Sequence, residues 1–236
     1  VDRSTGQENT QTLSGVGSRV NPPLNIIVSP LTTLTTKVLQ TQVDSSTDED
    51  TVSNTLTNAE ETVKTSLGID STVNLNSDYI QEQSTAVTVA INKLKNVTET
   101  VANVSGSTED SVIQTIVDIV TRVDTQDTQA EGTQLFTSGT VNDVIITVVA
   151  SDTSKDTSSV QNTETIAQYI GAVNDQIDAT EDSATDFEEV FTSSNTWRIV
   201  SQGKVSDTNF QSTIADTGFE VDAYVEQVKT DVANET

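Results

Sequence analysis

The 236-residue chain contains no cysteine, no histidine and no methionine. Thiolate and imidazole are the usual nucleophile, neutral-pH base and nitrogen or sulfur metal ligand. Without them, thiol and imidazole hydrolysis, thiol redox chemistry and the common zinc sites are excluded. What is left for chemistry is carboxylates, hydroxyls and a few Lys and Arg, which could serve glycosidase-type acid/base work or a Ser–Lys nucleophile. Neither shows a recognisable motif, and the chain reads as no enzyme. Basic side chains are scarce too: 11 Lys and Arg stand against 36 Asp and Glu, a formal charge of −25. That balance repels nucleic acid and anionic membranes. No apolar run approaches the ~18 residues of a membrane span, so no membrane insertion is expected. The first residue is Val1, with no initiating Met and no charged, apolar leader before it. The expectation is a processed or trimmed product whose secretion signal has gone, at home outside the cell or on its surface.

What the sequence does contain is acid, hydroxyl and amide. An acidic surface suits high salt, because a Debye length of ~10 Å at 0.1 M, shorter still at sea-like salt, removes the self-repulsion. It equally serves solubility alone, and a saline or marine exterior and plain solubility stand side by side. Hydrophobic residues make up 33% and aromatics 4%, so a thin core of Val, Ile, Leu and Ala is expected rather than disorder. Abundant Thr, Ser, Asn and Gln fit the polar faces of exported bacterial surface proteins.

Along the chain, residues 1–27 carry Gly6, Gly15, Gly17, Pro22 and Pro23 and alternate weakly around Leu13, Val16 and Val20. This reads as an extended arm. Leu24, Ile26, Ile27 and Val28 form a short β-like run that stops at Ser29-Pro30, an N-cap followed by proline at the first helical position. Leu31, Leu34, Val38 and Leu39 then recur at helical spacing. A second helix has the face Val52, Leu56, Ala59, Val63 and Leu67, a Glu60–Lys64 pair at i,i+4, and Gly68 as its left-handed cap. After a loop over 69–77, Ile80, Val87, Ile91, Leu94, Val97 or Thr98, Val101 and Val104 make one long stripe ending at Gly106. Ser107 with Asp110 makes a capping-box-like start. The wide face Val112, Ile113, Ile116, Val117, Ile119, Val120 and Val123 marks the following helix as the most buried.

Residues 124–139 are polar and Gly-bearing and mark a boundary. Three regions follow: an arm over 1–27, a helical module over 28–124, and a second, mainly helical region over 139–236. Val141 to Val149 is β-branched and fits a buried helix or a strand. Ile166, Ile170, Val173 and Ile177 restore a helix; Phe187, Val190 and Phe191 suggest a short one; Trp197, Ile199 and Val200 read as strand-like or irregular; Val221, Tyr224, Val225, Val228 and Val232 form a final helix. The fold class expected is mainly α, a helical bundle with an extended N-terminal arm and a less regular, α+β C-terminal half.

The stretch Val28-Ser29-Pro30-Leu31-Thr32-Thr33-Leu34 resembles the "VSPLTTL" start of a helical module found in very large secreted bacterial surface proteins of adhesin-like type. Asp2 to Gly6 is similar to the "D-x-x-TG" pattern preceding that start, and Ala59 to Lys64 with Leu67-Gly68-Ile69 to the end of its second helix. Asn74 to Ile80 is similar to its loop into a long third helix. The resemblance spans residues 2–104 and implies an extracellular, architectural module without catalytic residues. The chain shows no tandem β-sandwich repeats, which points to a small building block rather than a long adhesin.

Candidate sites are few. Asp44, Asp48 and Asp50 lie in the densest acidic loop, which could hold Ca²⁺ through its oxygens. It lacks the glycine and spacing of an EF-hand, and a helix-capping acidic loop accounts for it as well. Asp124 with Asp127, and Asp175, Asp178, Glu181 and Asp182, stand likewise. Otherwise no cofactor is expected. Asn96, Asn103 and Asn234 begin glycosylation sequons of the kind that chance supplies in a chain rich in Asn and Thr. Ser154-Lys155 are neighbours in a loop, which does not present a nucleophile to its base. Trp197-Arg198 reads as a contact anchor or a core plug. Leu13, Val16, Val20, Leu24, Ile26 and Ile27 are the candidate assembly residues, because an extended arm suits strand addition or domain swapping between copies. Two functions are expected from these features. One is a self-assembling subunit of an extracellular filament, sheath or surface layer. The other is an adhesin or virion-decoration module that binds a glycan or a surface protein.

Overall fold

The Ser29-Pro30 start signal is a working helix cap in the computed structural model, which describes residues 27–43, 49–124, 134–151, 160 and 162–235. The Ser29 hydroxyl accepts from Thr32 N at 3.2 Å while Ser29 N donates to Thr32 Oγ1 at 2.8 Å, a reciprocal capping box. Helix α1 (Pro30–Gln42) follows, with Leu31, Leu34 and Val38 fully buried. Its threonines stay inside the helix by donating their hydroxyls four residues back, as Thr33 does to Ser29 O at 2.8 Å and Thr36 to Thr32 O at 2.7 Å. That device lets a Thr-rich sequence bury a helix without orphaned polar atoms.

Helix α2 (Glu49–Leu67) ends at Gly68, whose φ of 69° allows Ile69 N to reach back to Lys64 O at 2.9 Å. Lys64 pairs with Glu61 at 3.5 Å and donates to Ser71 O at 2.9 Å. Glu60, the partner expected at i,i+4, accepts instead from the Asn76 side chain. Turns occupy 70–83 and close on Gln83, held at φ 54°; helix α3 (Thr85–Ser105) begins only after them. Ile80 therefore precedes the helix rather than opening its stripe. Gly106, at φ 61°, ends α3. Helix α4 (Glu109–Asp124) is capped by Thr108, whose hydroxyl accepts from Ser111 N at 3.2 Å, one residue later than the Ser107 start expected.

The C-terminal half holds no strand among the described residues, which corrects the α+β expectation. Val141 to Val149 lies in helix α5 (Ser138–Ser151), its buried Val141, Val144, Ile145, Val148 and Val149 spaced for one helical stripe. Helix α6 (Thr163–Ser183) buries Ile166, Ile170, Val173 and Ile177 completely. The short Phe187 helix and the irregular Trp197 region are one 19-residue helix, α7 (Phe187–Val205), started by Asp186 accepting from Glu189 N at 3.0 Å. A short α8 (Phe210–Ile214) and α9 (Val221–Glu235) complete the chain.

Contacts between partners far apart in sequence reveal the packing. Asn92, Asn96, Thr100 and Asn103 bond to Ser194, Ser201, Gln202 and Ser206, so α3 and α7 run parallel. Thr85, Lys93 and Asn96 meet Glu181, Asp178 and Asn174 in falling order, so α6 is antiparallel to α3. Helices α1 and α4 pack on α3, α2 packs on α1 and α4, α5 covers α6, and α9 lies on α6 and α7. The centre of the bundle is α3, which buries 15 of its 21 residues. It takes the place expected of α4, although α4 does bury Val112, Ile113, Ile116 and Val117 fully.

Of the assembly residues only Ile27 is described; it is half-buried, beside an exposed Val28 and outside any strand. Leu13, Val16, Val20, Leu24 and Ile26 lie outside the described residues, as do Asp44, Asp48, the Asp50 side chain, Asp127 and Ser154-Lys155.

Candidate functional site

Polar residues on α3 at positions 92, 96, 99 and 103 recur at helical spacing and form a second stripe beside the apolar one. Helix α7 answers with Ser194, Arg198, Ser201 and Gln202, again on one face. The two stripes meet in a buried seam. Arg198, 4% exposed, sends Nη1 to both Glu99 oxygens at 3.0 and 2.8 Å and Nε to Asn92 Oδ1 at 3.2 Å. Lys95 approaches the same Glu99 carboxylate at 3.5 Å. Asn92 Nδ2 donates to Ser194 Oγ at 3.0 Å. One turn on, Asn96 Oδ1 accepts from Ser201 Oγ at 3.3 Å and Gln202 Nε2 at 3.2 Å, while its Nδ2 donates to Asn174 Oδ1 on α6 at 3.0 Å. Charge-assisted and multiply shared bonds of this kind fix the mutual register of three helices, because apolar contacts alone tolerate sliding.

The seam passes into an aromatic cluster. Tyr169 OH lies 2.9 Å from Ser201 Oγ, and its ring stands 5.6 Å from Phe210 and 5.7 Å from Tyr224, with Phe219 5.3 Å beyond Tyr224. Burial pushes the Tyr169 phenol well above its ordinary range, with the Ser201 bond opposing only in part, and raises Tyr224 as well. Lys204 is raised by its hydrogen bond to Asp231. All three shifts act in one direction. A group whose folded pKa is raised contributes stability that is complete below its unfolded value and is lost as pH rises above it. Unfolding on the alkaline side above about pH 10 is therefore expected. Tyrosinate absorbance should rise together with loss of helix; a Tyr169 that ionises near pH 10 in the folded chain would contradict the assignment.

A second feature lies on the surface. Lys93, on α3, pairs with Asp178 at 2.6 Å and sits 4.4 Å above the Phe136 ring. Phe136 lines two depressions. One, of about 430 Å³, runs between the α2 end, α3 and α6 and carries Asp70, Asp178 and Glu181 together with Lys93. The other, of about 650 Å³, runs between the start of α5, α6 and the turn into α9, and carries Asp175, Glu220, Asp222 and Phe219. Lys93 thus seats the ring that both depressions of this acidic trough share.

The structure brings some of the sequence candidates into these features and leaves others apart. Asp175, Asp178 and Glu181 line the trough, and Trp197-Arg198 is buried, Trp197 6% exposed and Arg198 clamped in the seam. Asn96 is wholly buried in a hydrogen-bonded position, so that sequon is closed in the folded chain, while Asn103 and Asn234 are exposed. Among the described residues no group of three or more His, Cys, Asp or Glu is placed to hold a metal, and no helix is long and apolar enough to cross a membrane. The seam itself was missed by the sequence reading. Its signal is there, Asn92, Asn96 and Glu99 at i, i+4 and i+7, but attention to apolar spacing passes over a buried face made of amides and charges.

The class defined here is a mainly helical bundle keyed by a buried polar seam. No protein-family model, curated protein or solved structure matches the chain.

Proposed function

We propose that this chain is a non-catalytic structural protein of the cell exterior, a self-assembling subunit of a filament, sheath or surface layer that contacts its neighbour through residues 1–27. The observation that carries the reading is the seam. In a chain without cysteine, an Arg198 Nη1 shared by both Glu99 oxygens, with shared amide bonds, takes the place of covalent staples between α3, α6 and α7. Buried pairs are screened little by salt, whereas the net charge of −25 calls for salt. A rigid unit with these two properties suits a saline exterior and repeated use as a building block. Negative-stain imaging and sedimentation in sea-like salt, with and without residues 1–27, test it. Filaments or sheets that vanish on truncation are the expected result; a monodisperse monomer in both cases would end the assembly reading.

The trough favours a second reading, an adhesin or virion-decoration module. Half-buried Phe136 and Phe219 beside carboxylates could take a sugar ring by its apolar face and its hydroxyls. Glycan-array binding by a monomer that never assembles would favour it.

A further inference from the structure

We infer that the acidic trough running past Phe136 is the socket for residues 1–26 of a second copy of this chain. The inference rests on the assembly reading above and names the surface that receives the arm.

Charge singles out the occupant. Residues 1–27 contain Asp2, Glu8, Arg3 and Arg19, two of each sign, so they carry none of the net charge of −25 and all of it falls on residues 28–236. The rest of a neighbouring copy is strongly negative as a whole, which opposes its approach to a trough lined by carboxylates. The arm brings two guanidinium groups and the apolar Leu13, Val16 and Val20. Asp175, Glu220 and Asp222 are exposed and form no ion pair among the described residues, which leaves them for arginine. Phe136 and Phe219, both half-buried, offer apolar ground to the residues around Arg19. Phe136 lines both depressions, so a segment lying across its ring would meet both.

The assembly reading, not reach, selects another copy: extended, residues 1–26 span up to ~90 Å, so the chain's own arm could also arrive at the trough, and the disulfide test below separates the two. The arm enters at Ile27, ahead of α1, and α1 packs on α2, α4 and α3. The smaller depression begins at the end of α2, which α1 packs on, and the larger lies on the start of α5, α6 and the approach to α9. Arm and trough are different surfaces, so a contact between copies is heterologous, does not close on itself in pairs and extends into an open polymer or a ring. Salt at sea-like strength weakens long-range steering but leaves contacts at hydrogen-bond distance and apolar burial in place.

Charge reversal on either partner tests the pairing in the full-length chain. Asp175→Lys with Asp222→Lys on the socket, or Arg3→Glu with Arg19→Glu on the arm, should each raise the concentration of half-assembly about 100-fold. The four changes in one chain should bring it back to within about tenfold of native. Since the chain has no cysteine, Ser18→Cys with Thr165→Cys reports location directly: a ladder of disulfide-linked dimers and higher species is expected under oxidation. A purely intrachain disulfide, or none, overturns the inference. Native assembly indifferent to the socket reversal overturns it too while leaving the assembly reading intact. A native chain that stays monomeric at every salt concentration removes both. A monomer that binds a glycan and loses it on Phe219→Ala assigns the trough to that ligand instead.

Discussion

Arg198→Met should destabilise the fold by about 3–5 kcal/mol, the cost of breaking a buried ion pair by removing one partner. The guanidinium leaves behind a Glu99 carboxylate only 19% exposed, with Lys95 at 3.5 Å as its other cation, and an Asn92 Oδ1 that loses its Nε donor. For a chain of this length, that corresponds to a fall of roughly 10 °C in Tm. Thermal unfolding by circular dichroism measures it. The loss should persist from low salt to sea-like salt, unlike any effect of the exposed Lys229–Glu226 pair. Arg198→Met combined with Glu99→Leu should cost less than the sum of the two single changes, since both remove the same ion pair, while Lys95 loses its Glu99 partner. A single variant within ~1 kcal/mol of native would show that the seam does not hold the helices.

Phe210→Ala is the second large effect, again about 3–5 kcal/mol. Phe210 is 2% exposed and its ring lies 5.6 Å from Tyr169 and 6.4 Å from Tyr224. Four of the nine aromatic residues, Tyr169, Phe210, Phe219 and Tyr224, gather here. In a core built mostly of Val and Ile, their burial is what fastens α8 and α9 to α6. Helix α8 has five residues and cannot persist without that anchor. Limited proteolysis should cut the variant within 206–221 before the rest of the chain, and the Lys204–Asp231 pair between α7 and α9 should be lost with it. Cleavage distributed evenly over the chain would count against a local fastening.

How much of this was legible in the sequence varies with the physics of each element. Caps read well because they are local: Ser29 and Pro30, Gly68 and Gly106 act through hydrogen bonds and φ values within a few residues, and each is found in its expected role. Apolar stripes read well in α1, α2, α4, α6 and α9, where the buried face is aliphatic. They failed for α7, whose buried Ser194, Asn195, Arg198 and Ser201 carry no apolar period, so a 19-residue helix looked like a short one followed by irregular chain. They left α5 open because β-branched residues satisfy strand and helix alike.

The candidate site was legible only in fragments. Asp175, Asp178 and Glu181 stood out as acids, but nothing in their spacing told that Lys93, 85 residues from Asp178, would neutralise one of them and seat Phe136. The sequence by itself determined that the chain is helical, acidic and free of thiol and imidazole chemistry, because propensity, capping and charge are properties of neighbours and of totals. The tertiary structure alone decided that α3 is the centre, that α7 lies parallel to it, and that amides and charges form the seam. Those bonds join residues 78 to 106 positions apart. Their formation depends on how whole helices align, which no local pattern encodes.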